Sequence, residues 1–324
     1  MGERSGGGAA AAGAGRHRLI SRIRGTSLGV EARDRRDLWM LVIPAVVVVV
    51  GFGLFPFIYA LWVSFHSWEP LSPNHPFIGV DNYTEVLGDD VFQASILRTL
   101  LFVAIVVPCQ TLIGLGLALL VDSRPRLKRV FFPLFLLPIL IAPIVVGYMW
   151  RQMWEYPNGP VNNILSLVPF TDARVQWLGD DKTAFVALVV TEIWQWTPFM
   201  FVVLLAGLTA VPQPLREAIE IDGARAWRTF RVVVLPAILP ILTVAIILRV
   251  LEAANFYATV FAITQGGPGT ATYSIVYYIA KLAQFGRPGV AAAASLFFLL
   301  VVAIFTGILV QRLLRRQSEL AGST

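Results

Sequence analysis

Six apolar runs set the limits on what this chain can fold into: residues 38–63, 97–121, 130–153, 184–208, 232–256 and 290–310. Each is about 20 residues or more, the length a helix needs to cross a bilayer. Backbone N–H and C=O groups in hydrocarbon must pair within the spanning structure, so only helices or closed barrels cross. Barrel strands are segments of about ten residues with alternating apolar character, far shorter than these runs. The expected fold is therefore all-α, with six transmembrane helices. Composition agrees: 56% of the residues are hydrophobic and 14% charged, which is too apolar for an ordinary soluble domain.

The charges orient the runs. The net charge is +6, and nineteen of the 26 Lys and Arg residues fall in the N-terminal tail, the second and fourth loops, and the C-terminal tail. The first loop carries acids instead: Glu69, Asp81, Glu85, Asp89 and Asp90. The positive-inside rule then puts both termini in the cytoplasm, which requires an even number of spans. A basic chain can also signal nucleic acid, but here the placement of the charges is that of membrane topology, so no nucleic-acid partner is expected. Residues 1–37, Gly/Ala-rich and then Arg-rich, are read as a disordered basic cytoplasmic tail. Residues 38–316 form the transmembrane domain and 317–324 a short cytoplasmic tail. Cys109 is the only cysteine and has no intrachain partner.

Between the fourth and fifth runs lies a polar segment, 212–236. Pro212 and Pro214 end one helix and suit the first turn of another. Glu217 and Glu220 fall near the positive end of that short helix, Gly223 permits a bend, and Leu235-Pro236 opens the next run. The segment resembles the EAA loop of ABC importer permeases: Glu-Ala-Ala, three residues, Gly, nine residues, Ile-x-Leu-Pro. Ile219 and Val233 are its departures from that pattern. Further segments resemble the carbohydrate branch of the family, the maltose- and glycerol-phosphate-type permeases. They are Phe77 to Tyr83, Trp194 to Leu208, Val211-Pro212, Thr264 to Pro268 and Gly289 to Ser295. The ordered set carries the resemblance more than any single motif.

The resemblance implies the type I ABC importer permease fold and the import of a sugar across a bacterial cytoplasmic (inner) membrane. It also implies four kinds of neighbour: a second homologous permease, two ATPase subunits, an extracytoplasmic sugar-binding protein and the lipid bilayer. Glu217, Ala218, Asp222, Gly223, Ala224, Leu235 and Pro236 would couple to the ATPase. The sequence itself has no Gly-Lys-Ser/Thr phosphate loop; Lys128, Lys182 and Lys281 all lack a preceding glycine. This chain is therefore not expected to be an enzyme or to hold a cofactor, and ATP and Mg would be bound by the partner. His17, His66 and His75 lack metal-ligand spacing, so no metal site is expected. The competing reading is an ion-gradient-driven secondary transporter or channel, with Glu192 and Glu252 as proton sites. A membrane scaffold without transport would leave the charges within the spans unexplained.

Those charges are Glu192 in the fourth run and Arg249 with Glu252 in the fifth. Ionisable groups at membrane depth are costly and default to function. Glu192, Trp196 and Phe199 share one helix face, as do Glu252, Asn255 and Phe256. Carboxylate, amide and aromatic ring are the groups that bind a sugar, through its hydroxyls and its C–H patches. Both faces also fall where the resembled family carries its membrane sugar site, so these six are the expected substrate contacts. The alternative is structural: an Arg249–Glu252 pair at i, i+3, with Trp and Phe packing between helices.

Overall fold

The computed structural model describes residues 39–40, 42–68, 74–167, 174–211 and 226–321. The chain divides into two compact units, Met1–Trp62 and Val63–Thr324. The described part of the first unit is almost wholly the helix α1 (Val42–Ser64). Its side chains from 42 to 59 are exposed all round, with Phe55, Tyr59 and Trp62 stacked along it. A helix that is apolar on every face has no surface suited to water.

The second unit holds α2 (Asp81–Gly88), α3 (Asp90–Asp122), α4 (Pro125–Leu140), α5 (Pro143–Met153), α6 (Pro160–Leu165), α7 (Asp181–Thr209), α8 (Trp227–Ala254), α9 (Tyr257–Ile263), α10 (Ile275–Gln284) and α11 (Pro288–Ala321). Among the described residues there is no strand, only an isolated antiparallel bridge between His66 and Phe77. Five helices, α1, α3, α7, α8 and α11, are long and apolar enough to cross a membrane. The third expected run, 130–153, departs from a simple span: α4 and α5 meet at 97°. Proline is the cause. Pro143 bars its predecessor from the helical region, and Ala142 sits at φ −57°, ψ 136°. Ile141 is extended too, and Pro138 lacks an N–H to continue the ladder. Counted as one broken span, the pair makes six.

Polar residues fix where the long helices begin. Asp89 accepts from the backbone N–H of Val91 (2.7 Å) and Phe92 (3.2 Å) at the start of α3. Asp180 does the same for Lys182 and Thr183 at the start of α7. Such caps satisfy amides that have no intrahelical partner. Asp89 spends its second oxygen on the Tyr278 hydroxyl of α10, at 2.7 Å. Burial and that carboxylate push the Tyr278 phenol above its ordinary pKa. Leu235 and Pro236 follow a π-helical turn, Phe230–Val234, in which the Leu235 N–H reaches back to Phe230. The wider turn relieves the clash a proline makes with the preceding turn of an α-helix.

Three apolar clusters pack the unit. One joins Phe102, Val106, Val146, Leu188, Val250 and Val260. The second joins Ala118, Met200, Phe201, Leu204, Ile238 and Leu242. The third gathers Val86, Phe92, Ile275, Tyr278, Val290 and Ala294. α3 approaches α7 closely at Gly114, where a Cβ would lie 2.7 Å from that of Met200 and 2.9 Å from the Phe201 nitrogen. Two of the segments that carry the family resemblance also meet. Asn82 donates to the carbonyls of Ser64 (2.8 Å) and His66 (3.0 Å), and a Cβ on Gly289 would strike both Asn82 and the His66 carbonyl.

Candidate functional site

Between the first two apolar clusters runs a polar layer. In α3 Gln110 lies between Val107 of one cluster and Ala118 of the other; in α7 Glu192 lies between Val189 and Met200; in α8 Arg249 lies between Ala245 and Val250. All three side chains are buried: Gln110 at 0%, Glu192 at 3% and Arg249 at 1% exposure. The Arg249 Nη2 donates to Glu192 Oε1 at 3.0 Å, and its Nε donates to Gln110 Oε1 at 3.0 Å. The Gln110 Nε2 donates in turn to the Glu192 carbonyl at 2.9 Å. Thr259 of α9 donates to Glu192 Oε2 at 3.3 Å. The Arg249 guanidinium lies over the Trp196 ring, 4.7 Å from its centroid. Four helices are thus tied at membrane depth by one charge pair and its amide and hydroxyl supports. Among the described residues, Arg249 Nη1 and Gln195 Oε1 are buried without a hydrogen-bond partner.

The arrangement differs from an i, i+3 pair within α8. Arg249 turns to Glu192 on α7, while Glu252 is exposed. Trp196 is half-buried beneath the guanidinium, and Phe199 packs against the second cluster. Glu252, Asn255 and Phe256 do not share a continuous helix face, because α8 ends at Ala254 and Asn255 takes φ −104°, ψ 37°. Asn255 is exposed, and Phe256 is buried with its ring stacked on Phe102 at 3.7 Å between centroids. Of the six expected contacts, Glu192 and Trp196 therefore meet around Arg249, Glu252 and Asn255 are open, and Phe199 and Phe256 are packing groups.

Gln110 and Thr259 were missed in the sequence reading. The usable signal was Gln110, an amide in the middle of an apolar run, which needs a partner as an ionisable group does. Glu217, Ala218, Asp222, Gly223 and Ala224, expected to couple to the ATPase, lie outside the described residues, as do residues 1–37. Leu235 and Pro236 are described and half-buried.

Comparison with known proteins bears on the family and the fold. The family described as "Binding-protein-dependent transport system inner membrane component" matches residues 110–319. The trehalose/maltose transport system permease protein MalF of Thermococcus litoralis is 35% identical over 85% of this chain and 92% of its own. The trehalose transport system permease protein SugA of Mycobacterium tuberculosis is 32% identical over 87% of this chain and 90% of its own. A crystal structure of a bacterial ABC transporter involved in the import of the acidic polysaccharide alginate shares the fold. Its TM-score is 0.75, covering 92% of this chain and 99% of that one at 22% identity.

Proposed function

Because the chain belongs to the family of binding-protein-dependent transport system inner membrane components, we propose that it is the permease subunit of an ATP-driven importer whose cargo is a carbohydrate. The observation that carries this is 35% identity to a trehalose/maltose permease over nearly the whole length of both chains. The chain is a multi-pass membrane protein with an ABC importer permease fold.

In this reading it pairs with a second permease in the cytoplasmic membrane, with both termini and the basic loops inside. Two ATPase subunits, holding ATP and Mg, dock on the segment carrying Glu217, Ala218, Asp222, Gly223 and Ala224. An extracytoplasmic protein delivers the sugar. α8 leads from the docking segment through Leu235 and Pro236 to Arg249, so movement of the docked ATPase is transmitted along it to the polar layer. Glu252, Asn255 and Trp196 contact the sugar. Glu192 is held by Arg249 and sets the position of the helices around the path, and Phe199 and Phe256 limit its width from behind.

The test is purification of a tagged chain expressed from its native locus. The expected result is co-purification of an ATPase subunit and a second permease, lost in Glu217→Lys. A chain that purifies alone, in a bilayer mimic that preserves known importer complexes, contradicts the proposal.

A further inference from the structure

Away from the polar layer, the end of α5, residues 154–156 and residues 176–179 line an open cavity of ≈ 590 Å³. Its wall presents Tyr148, Arg151, Gln152, Glu155, Tyr156 and Gln176. The frame behind them is tightly fixed. Asn162, 2% exposed, accepts from the Val175 N–H (3.1 Å) and from Trp177 Nε1 (3.1 Å), and donates to the carbonyls of Val175 (3.0 Å) and Glu155 (3.4 Å). One buried amide thereby pins the two sides of the cavity together. Trp154, 3% exposed, lies between the rings of Trp150 (5.3 Å) and Trp177 (4.9 Å) and donates to Thr191 at 3.2 Å.

On this frame the four polar side chains are unspent. Arg151, Gln152, Glu155 and Gln176 make no side-chain hydrogen bond or ion pair with any described residue. Together they offer one guanidinium, one carboxylate and two carboxamides, which means donors and acceptors in similar number and no net charge. Glu155 opposes an anion, Arg151 opposes a cation, and an apolar ligand would strip water from all four without replacing its hydrogen bonds. A neutral polyol fits: each hydroxyl both donates and accepts, and the ring C–H faces can lie on Tyr148 or Tyr156. The volume falls within the range of about 300–1,000 Å³ usual for small-molecule sites.

We infer that this cavity is a second carbohydrate site, a vestibule that holds sugar outside the intramembrane path. The inference rests on the importer reading above and adds a site to it. Arg151 and Glu155 grip adjacent hydroxyls, the two carboxamides orient the ring, and the Asn162 clamp fixes the Glu155 backbone against Val175 and Trp177.

The test uses the assembled transporter in lipid nanodiscs, without its extracytoplasmic binding protein, and saturation-transfer NMR with trehalose and maltose as probes. Wild type should show transfer from protein to the sugar it imports. Arg151→Gln and Glu155→Gln should each weaken binding by about tenfold or more. Arg151→Lys, which keeps the charge but loses the forked donor, should fall between wild type and Arg151→Gln. The concentration of sugar-loaded binding protein that half-saturates ATP hydrolysis should not move. The vestibule is overturned if wild type imports sugar yet shows no transfer, or if the variants bind sugar as wild type does. A shifted half-saturation with unchanged sugar binding also overturns it, by making the cavity a docking surface for the binding protein. In all three cases the importer reading stands. Failure of the wild-type complex to import any carbohydrate removes both.

Discussion

Glu192→Gln is the sharpest perturbation of the polar layer. It keeps the side-chain shape and removes the negative charge that faces Arg249 at 3.0 Å. The guanidinium, 1% exposed, is then left with Gln110, the Trp196 ring and a neutral amide. Breaking a buried pair from one side costs about 3–5 kcal/mol, because an uncompensated charge stays in the interior. At roughly 2–4 °C per kcal/mol, the thermal midpoint of the solubilised complex should fall by about 6–20 °C. Arg249→Met should do similar damage from the other side. The double variant Glu192→Gln/Arg249→Met removes both charges and leaves Gln110 Oε1 without its donor, a loss of about 1–3 kcal/mol. It should therefore be more stable than either single variant. Fluorescence-detected size exclusion after a temperature ramp gives the midpoints, and wild type, the two single variants and the double variant close a double-mutant cycle. Costs that add within about 0.5 kcal/mol, as for independent sites, would refute the reasoning.

Three further outcomes are expected. Glu217→Lys and Gly223→Asp should leave membrane insertion intact and abolish ATP-driven uptake; normal uptake by both removes the coupling assignment. In a Cys109→Ser background, cysteines placed near Arg126 and Arg316 should be protected from impermeant thiol reagents in intact cells, while those near Asp90 and Gly269 react; labelling of the Arg126 site from outside contradicts the orientation. Glu252→Ala and Asn255→Ala each remove about 0.5–1.5 kcal/mol of hydrogen bonding, up to 3 with charge, so uptake at matched expression should drop roughly 3- to 100-fold. Uptake within about twofold of wild type in both would move the sugar path off this face.

The long helices were legible in the sequence because apolar length alone decides them: α3, α7 and α11 contain the runs expected of them, and α8 covers its run up to Ala254. The break between α4 and α5 was signalled by Pro138 and Pro143, but hydropathy averages over a bend, and the run passed for a single helix. The break after Ala254 had no such marker. Its consequence was larger, since it takes Phe256 off the face of Glu252 and into the Phe102 stack. Intramembrane charge pointed to Glu192, Arg249 and Glu252; the first two pair with each other, and Glu252 is exposed. That pairing was not readable, because sequence spacing reports neighbours on one helix, whereas the partners here sit on α3, α7, α8 and α9. Gln110 was hidden for the same reason, and the vestibule because its walls are brought together by Asn162 across irregular backbone.

The central claim is that this chain carries carbohydrate under the drive of a separate ATPase. Its most direct test is uptake of labelled trehalose or maltose into proteoliposomes containing the purified complex. ATP is enclosed within and sugar-loaded binding protein supplied outside. The account predicts uptake that requires ATP and the binding protein, stops with vanadate and ignores a protonophore. Uptake that proceeds without ATP on an imposed proton gradient, and collapses with the protonophore, would contradict it.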